Sequence, residues 1–394
     1  MNDPKIPEEN QSVDFYSPEG GPGQDAAGFS ATDQQKEFLG GSSEPQKESE
    51  QQVGVHKSIE INGKRWGYFE TGTPDAEFSI LNISGFGGGS GEGNERLSQA
   101  LAGHIEMSRG MQTLRQDLPK GAEKIEEIVK GLKGKYHTIT PQIPGGGFSE
   151  ALDNPTLDNL ADELAEFIKA TGLKKPILFG SSMGGILAVK LAARHPEMAS
   201  ALALQGVMTQ PDDMRKQDYI LAQIITSTPI RQIIEKTPGA FWVIKKLSKL
   251  GNRGQVDFKL ADEQGRTQML RDNEKAEAHT SLLALRGIGK DLEAEINQIK
   301  APVVLLDGEN AVVVSIDKTK RIAGRFHPEI RDEDPRENLR KKISERQVLF
   351  YKIGGVTGEH AHSVINTFPE GMAVMINHAV NYFKINNKAG VAKA

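Results

Sequence analysis

The 394-residue sequence contains no cysteine, and that single absence excludes disulfide staples, thiolate catalysis and cysteine-ligated metal together. Aromatic residues make up only 6% and hydrophobic residues 37%, so part of the chain is expected to lie outside any core. An excess of one charge is also missing. The formal net charge of −5 argues against a nucleic-acid binder that depends on a broad basic face. No apolar run approaches the roughly 18 residues that a membrane-spanning helix needs. The first residues, Met1-Asn-Asp-Pro-Lys-Ile-Pro, lack the apolar centre of a secretory leader. The expectation is a cytoplasmic protein, a setting that a cysteine-free chain fits without requiring.

What is present divides the chain. Residues 1–53 are rich in Gly, Pro, Ser, Gln and Glu. They bury too little apolar surface to offset their ordering entropy, so they read as a disordered tail. Order begins near His56. Lys57-Ser-Ile-Glu-Ile alternates, Asn62-Gly63 is a two-residue turn, and Arg65-Trp-Gly-Tyr-Phe-Glu continues as a second strand. Phe78-Ser-Ile-Leu-Asn-Ile is a buried-strand run that empties into the glycine-rich Ser84-Gly-Phe-Gly-Gly-Gly-Ser. Helical spacing follows from about Glu95 to Gly134, then a strand at Tyr136 and a helix marked by Leu157, Leu160, Leu164 and Ile168 that stops at Gly172. Pro176-Ile-Leu-Phe is a buried strand, Ile186 to His195 a helix ended by Pro196, and Ala201-Leu-Ala-Leu the next strand.

Between Met208 and Gln298 the alternation of strand and helix stops, and helical pieces are interrupted by Pro229 and Pro238. It resumes with Pro302-Val-Val-Leu-Leu, Gln347-Val-Leu-Phe-Tyr-Lys-Ile and a final helix from Pro369 to about Phe383. Strands alternating with helices imply a mostly parallel sheet covered on both faces.

The motif that carries chemistry is Gly180-Ser181-Ser182-Met183-Gly184. It lies between an expected strand and an expected helix, as a nucleophile elbow requires. The turn needs glycine at 180 and 184 so that backbone and helix pass closely, which leaves the Ser182 hydroxyl exposed above the sheet. The helix behind it favours developing negative charge. The backbone N–H of Met183, next after the nucleophile, is one expected oxyanion donor.

From about His56 to Phe383 the sequence resembles the α/β-hydrolase family, in its branch of capped serine esterases, perhydrolases and carbon–carbon bond hydrolases. The hairpin, the glycine-rich loop, the elbow and a C-terminal histidine region carry the resemblance. It implies an α/β-hydrolase fold: a mostly parallel eight-stranded sheet flanked by helices, with a helical cap inserted after the sixth strand. The corresponding division is a core of residues 54–207 and 299–386, a cap of 208–298, and a flexible C-terminal tail of 387–394.

The resemblance also assigns roles. Ser84-Gly85-Phe86 stands where the family has His-Gly and then the second oxyanion donor, so the N–H of Phe86 takes that part. In Gly358-Glu-His-Ala-His-Ser the base is His360 or His362. The family places a proline seven residues after its histidine, and Pro369 has that spacing from His362. A His-x-His pair could also ligate metal, but no other cluster of ligands accompanies it. Neither metal nor organic cofactor is implied.

The acid departs from the pattern. Where the family reads Gly-x-x-Asp, this chain reads Gly308-Glu309-Asn310-Ala311. Glu309 is the favoured substitute. Asp307, Asp212 or Asp213 are the other carboxylates within reach in sequence, with Gln205 as a neutral stand-in, and a dyad or a dead site is a further outcome. The leading functional reading is a serine hydrolase acting on an ester, thioester or similar acyl bond of a small molecule. Ile224, Ile225, Phe241 and Trp242 in the cap hint that the substrate is hydrophobic. The alternatives are a catalytically impaired protein of the same fold that binds a ligand, or an acyltransferase using the same serine. Oligomeric state is not legible in the sequence.

Overall fold

The computed structural model describes residues 54–85, 92–105, 107–153, 155–213, 216–237, 239–240, 279–280, 282, 285–287, 290–308, 316–326, 348–353 and 364–391. The expected 1–53 tail, residues 241–278 of the expected cap, and residues 392–394 of the expected C-terminal tail lie outside these residues.

The chain opens with β1 (Val55–Ile61) and β2 (Lys64–Thr71), paired antiparallel with Ile61 opposite Lys64. The turn between them has positive φ at both Asn62 (50°) and Gly63 (73°), the conformation of a tight hairpin whose twist matches the strands. β3 (Phe78–Ile83) is followed by α1 (Glu92–Leu101), α2 (Arg109–Asp117) and α3 (Pro119–Lys130). The helical stretch expected from Glu95 to Gly134 is thus three helices. Pro119 takes the first turn of α3, where its missing N–H costs nothing. Then come β4 (Tyr136–Pro141), α4 (Leu157–Thr171), β5 (Ile177–Ser181), α5 (Met183–Arg194) and β6 (Ala201–Gln205). The segment expected to form a cap contains α6 (Lys216–Ile225) and α7 (Thr228–Lys236) among the described residues, with Pro229 in the first turn of α7. The chain ends with α8 (Glu293–Ile296), β7 (Val303–Gly308), α9 (Ile316–Phe326), β8 (Val348–Ile353), α10 (Val364–Thr367) and α11 (Pro369–Val391). The last helix therefore runs past residue 386, the core boundary expected from sequence.

The eight strands form one sheet in the order β1-β2-β4-β3-β5-β6-β7-β8. Only the pairings made by β2 are antiparallel; β3 through β8 run parallel. Parallel strands covered on both faces read as continuous apolar runs, and alternate residues feed two separate cores. Leu81, Ile83, Leu178, Leu202, Leu204, Val303 and Leu305 pack with α4, α5 and α9 on one face. Ile80, Phe179, Ala203, Val304 and Leu306 pack with α1, α3 and α11 on the other. Each such large apolar side chain contributes about 1.5–3 kcal/mol when fully buried. On the first face, Lys190 of α5 pairs with Asp158 of α4 at 2.8 Å and Glu295 of α8 at 2.6 Å, joining the segment before β7 to the central helix.

Candidate active site

The junction of β5 and α5 places Ser182 at the carboxyl end of the central strands. Ser182 has φ 53° and ψ −116°, a region that costs a non-glycine residue about 1–3 kcal/mol and persists only where the surroundings over-determine it. Here they do. Its N–H donates to the main-chain oxygen of Gln205 across 2.7 Å, and its carbonyl accepts from Gly185 N at 2.9 Å. The hydroxyl of the preceding residue, Ser181, donates to Gln205 Oε1 at 2.7 Å in a buried position.

Close approach explains the two glycines. A Cβ at position 180 would lie 2.4 Å from Gly184 O, and one at 184 would lie 2.2 Å from Ile83 O and 2.6 Å from Ser84 O. The loop leaving β3 therefore runs against the elbow itself. A Cβ at position 85 would meet Ser181 O at 3.0 Å and the Ser182 Cβ at 3.3 Å. The residue expected to supply the second oxyanion donor, Phe86, is the next along this loop and lies outside the described residues.

The Ser182 side chain does not cap α5. Met183, the first residue of that helix, carries one of the N–H groups that an α-helix cannot satisfy internally, and the helix dipole adds partial positive charge there. The arrangement can present a hydroxyl beside backbone donors, the pairing that acyl transfer requires.

Of the site residues expected from sequence, the structure brings Ser182, Met183 and the start of the β3 loop together. His360, His362, Glu309 and Ala311 lie outside the described residues. The other candidates for the acid are described. Asp307 ends β7 fully buried, accepting from Thr319 Oγ1 at 2.5 Å and from Gly308 N at 3.1 Å. Burial pushes its carboxyl up to about 7 against these two hydrogen bonds, which lower it. Asp213 is also buried. Its Oδ2 accepts from Thr209 N (2.7 Å), Thr209 Oγ1 (2.8 Å) and Gln210 N (3.1 Å), closing a turn, while Oδ1 has no hydrogen-bond partner among the described residues. Asp212 is exposed. Gln205 has its side-chain oxygen committed to Ser181.

Four of the remaining histidines sit beside carboxylates among the described residues: His137 with Glu70 (2.7 Å), His195 with Asp162 (2.9 Å), His279 with Glu235 (3.1 Å) and, at 3.7 Å, His56 with Glu95. No group of three or more His, Asp and Glu able to hold a metal occurs among the described residues. No described helix is long and apolar enough to cross a membrane. Sequence reasoning missed the Ser181–Gln205 pair, although a glutamine ending an apolar strand was its signal.

Comparison with known proteins gives the following. The sequence profile of the alpha/beta hydrolase fold family matches residues 118–333. The 3-oxoadipate enol-lactonase 1 of Acinetobacter baylyi is 28% identical over 116 residues, covering 27% of this chain and 44% of that protein. The pimeloyl-[acyl-carrier protein] methyl ester esterase of Chromobacterium violaceum is 32% identical over 114 residues, covering 29% and 42%. The chain thus spans less than half the length of these two curated relatives. A solved loop variant of the haloalkane dehalogenase DbeA-M1 from Bradyrhizobium elkanii superposes with a TM-score of 0.56 at 15% identity, covering 86% of this chain and all of that one.

Proposed function

Because the chain belongs to the α/β-hydrolase fold family, we propose that it is a serine hydrolase that cleaves an ester, thioester or similar acyl bond. Ser182 is the nucleophile and His362 the general base. The observation that carries this reading is the backbone of Ser182: a strained non-glycine residue (φ 53°) held at a strand–helix junction beside an uncapped helix start. Strain of this kind is retained where function needs the side chain aimed.

In the proposed reaction Ser182 Oγ forms a bond to the acyl carbon while its proton passes to His362. The N–H groups of Met183 and Phe86 hold the oxyanion. As it collapses, the bond to the leaving oxygen or sulfur breaks and that atom takes the proton from His362. Water, deprotonated by the same histidine, then releases the acid and restores the serine. Glu309 orients His362 and stabilises its cation. Asp307 is the poorer choice, since its carboxyl is buried against Thr319 and Gly308 and, pushed up to about 7 by burial, is only partly ionised near neutral pH, where a full counter-charge is needed.

The two curated relatives, named for an enol-lactone and a methyl ester, support an ester-type substrate. Ile220, Leu221 and Ile224 of α6 are exposed, which supports a hydrophobic acyl group under the cap. No cofactor takes part, and a cytoplasmic setting suits a chain without cysteine.

One observation favours a second reading, a ligand-binding protein with an impaired site: Ala311 stands where the resemblance puts the acid. Hydrolysis of p-nitrophenyl esters of increasing chain length separates the two. A burst of nitrophenol followed by steady turnover, both lost in Ser182→Ala and His362→Ala, is the result expected of a hydrolase. Absence of turnover in folded protein favours the binding protein. A faster nitrophenol release with added alcohol, together with ester product, indicates acyl transfer instead.

A further inference from the structure

An asparagine interrupts the apolar run of β3. Asn82 is fully buried on the sheet face that meets α1, and Asn94 in the first turn of α1 is buried beside it. The two side chains are reciprocal partners. Asn82 Nδ2 donates to the main-chain oxygen of Asn94 at 2.7 Å and to Ser98 Oγ at 3.0 Å. Asn94 Nδ2 in turn donates to Asn82 Oδ1. Beyond them the network runs on, with Ser98 Oγ 2.9 Å from Thr140 Oγ1 of β4 and Thr71 Oγ1 of β2 donating to Ser98 O at 3.1 Å.

Such a network is stabilising only because it is satisfied. A buried amide left without partners costs about 1–3 kcal/mol, and an apolar side chain would bury more simply at position 82. The amide must therefore earn its place otherwise, and the chain between the two asparagines shows how. They lie 12 positions apart and bracket the glycine-rich loop that begins at Ser84. The same loop starts against the elbow, with Ile83 O and Ser84 O packed on Gly184 and Gly85 packed on Ser181 and Ser182. The pair therefore ties together the two described ends of the loop, Ser84-Gly85 after β3 and Asn94 in α1.

We infer that Asn82 and Asn94 form a clasp that fixes the start of this loop, Ser84-Gly85, against Ser181 and Ser182. They are positioning residues, acting through the loop and not on the substrate. The inference rests on the hydrolase reading above. An oxyanion donor acts chiefly in the transition state, so loosening the loop lowers kcat and leaves KM nearly unchanged.

The test uses the full chain with p-nitrophenyl butyrate, together with hydrogen exchange of the peptide spanning residues 83–94. Asn94→Ala removes the donor to Asn82 Oδ1 but keeps the main-chain acceptor. Should it fail to fold, Asn94→Asp, which keeps the volume and loses the donor, takes its place. Tyr136→Phe is the control, because it removes a comparable hydrogen bond, 3.0 Å to Asn377 Oδ1 of α11, at the opposite end of β4 from Thr140. Expected for the clasp variant are faster exchange in that peptide and a kcat about ten- to a hundredfold lower, with KM within about twofold. The control keeps kcat within about twofold although its melting temperature falls. Unchanged exchange with unchanged kcat overturns the clasp, as does an equal loss of kcat in Tyr136→Phe. Wild-type protein without any turnover overturns the hydrolase reading itself, a failure distinct from an active wild type with an unaffected Asn94→Ala.

Discussion

The Ser181 hydroxyl donates to Gln205 Oε1 across 2.7 Å, and one residue later the Ser182 amide donates to the Gln205 main-chain oxygen, also at 2.7 Å. One residue of β6 thus holds two consecutive residues of the elbow. Replacing Ser181 by alanine leaves a buried amide oxygen without this donor, which costs about 1–3 kcal/mol. Chemical denaturation of Ser181→Ala is expected to show a loss of that size. Gln205→Glu keeps an acceptor for Ser181 but buries a charge, and is expected to lose more stability at pH 8 than at pH 5.

Gly184 has no room for a side chain, since its Cβ would sit 2.2 Å from Ile83 O. The obstacle is backbone on both sides, so relief requires the β3 loop to move away from the elbow. Gly184→Ala is expected to cost more than about 2 kcal/mol, by analogy with overpacking in a close-packed core, and to abolish labelling of Ser182 in whatever fraction stays folded. Thermal melts and probe labelling of the same sample check both parts.

Asp307 ties stability to pH. Its folded carboxyl is raised to about 7 by burial, whereas the unfolded chain titrates near the ordinary value of about 3.9. Below pH 4 both states hold the proton and the group makes no difference. Between about pH 4 and 7 the native state binds more protons than the unfolded one, so stability falls as pH rises. It levels off above the folded value, after a loss on the order of 4 kcal/mol as an upper bound. Asp307→Asn removes this component. Urea midpoints of wild type minus variant are expected to decline from pH 4 to 7 and then flatten; a difference that is constant with pH contradicts the burial argument.

Glu70 behaves in the opposite sense. Burial raises its carboxyl, but Lys57 and His137 (2.7 Å) outweigh this and hold it below the usual carboxylate range. A depressed carboxyl gives stability that is present at neutral pH and lost as pH falls through the folded value. Glu70→Gln is expected to destabilise by about 1–2 kcal/mol at pH 7, with the difference shrinking toward pH 3. Denaturation at those two pH values checks it.

The acid can be assigned by substitution. Glu309→Gln is expected to lower kcat by up to about four orders of magnitude, as loss of a triad acid does, with Asp307→Asn staying within about tenfold of wild type. Steady-state kinetics on one ester decide the matter. The reverse ranking moves the role to the end of β7.

The fold was legible because its signals are local and repeated. The Asn62-Gly63 turn, the apolar runs at Phe78, Pro176 and Pro302, and the glycines flanking Ser182 each describe their own few residues, and together they imply a mostly parallel sheet covered on both faces; the strand order itself came from the structure. What could not be read depends on distant partners. Nothing near Asp307 in sequence says that it is sealed in against Thr319, and Gln205 looked like a neutral stand-in for the acid until its side chain was found on Ser181. Asn82 passed unremarked within an apolar strand, because its partner Asn94 lies across a loop. At Ala311 the sequence shows only a departure from the pattern that the resemblance implies; which carboxylate serves instead depends on tertiary reach.

The central claim is that Ser182 is an activated nucleophile. It is tested most directly by incubating the protein with a fluorophosphonate probe and identifying the modified tryptic peptide, for wild type and for Ser182→Ala. The account predicts a single adduct on Ser182, absent from the alanine variant and slowed in His362→Ala. Folded wild-type protein that takes up no probe, or takes it up equally after Ser182→Ala, contradicts it.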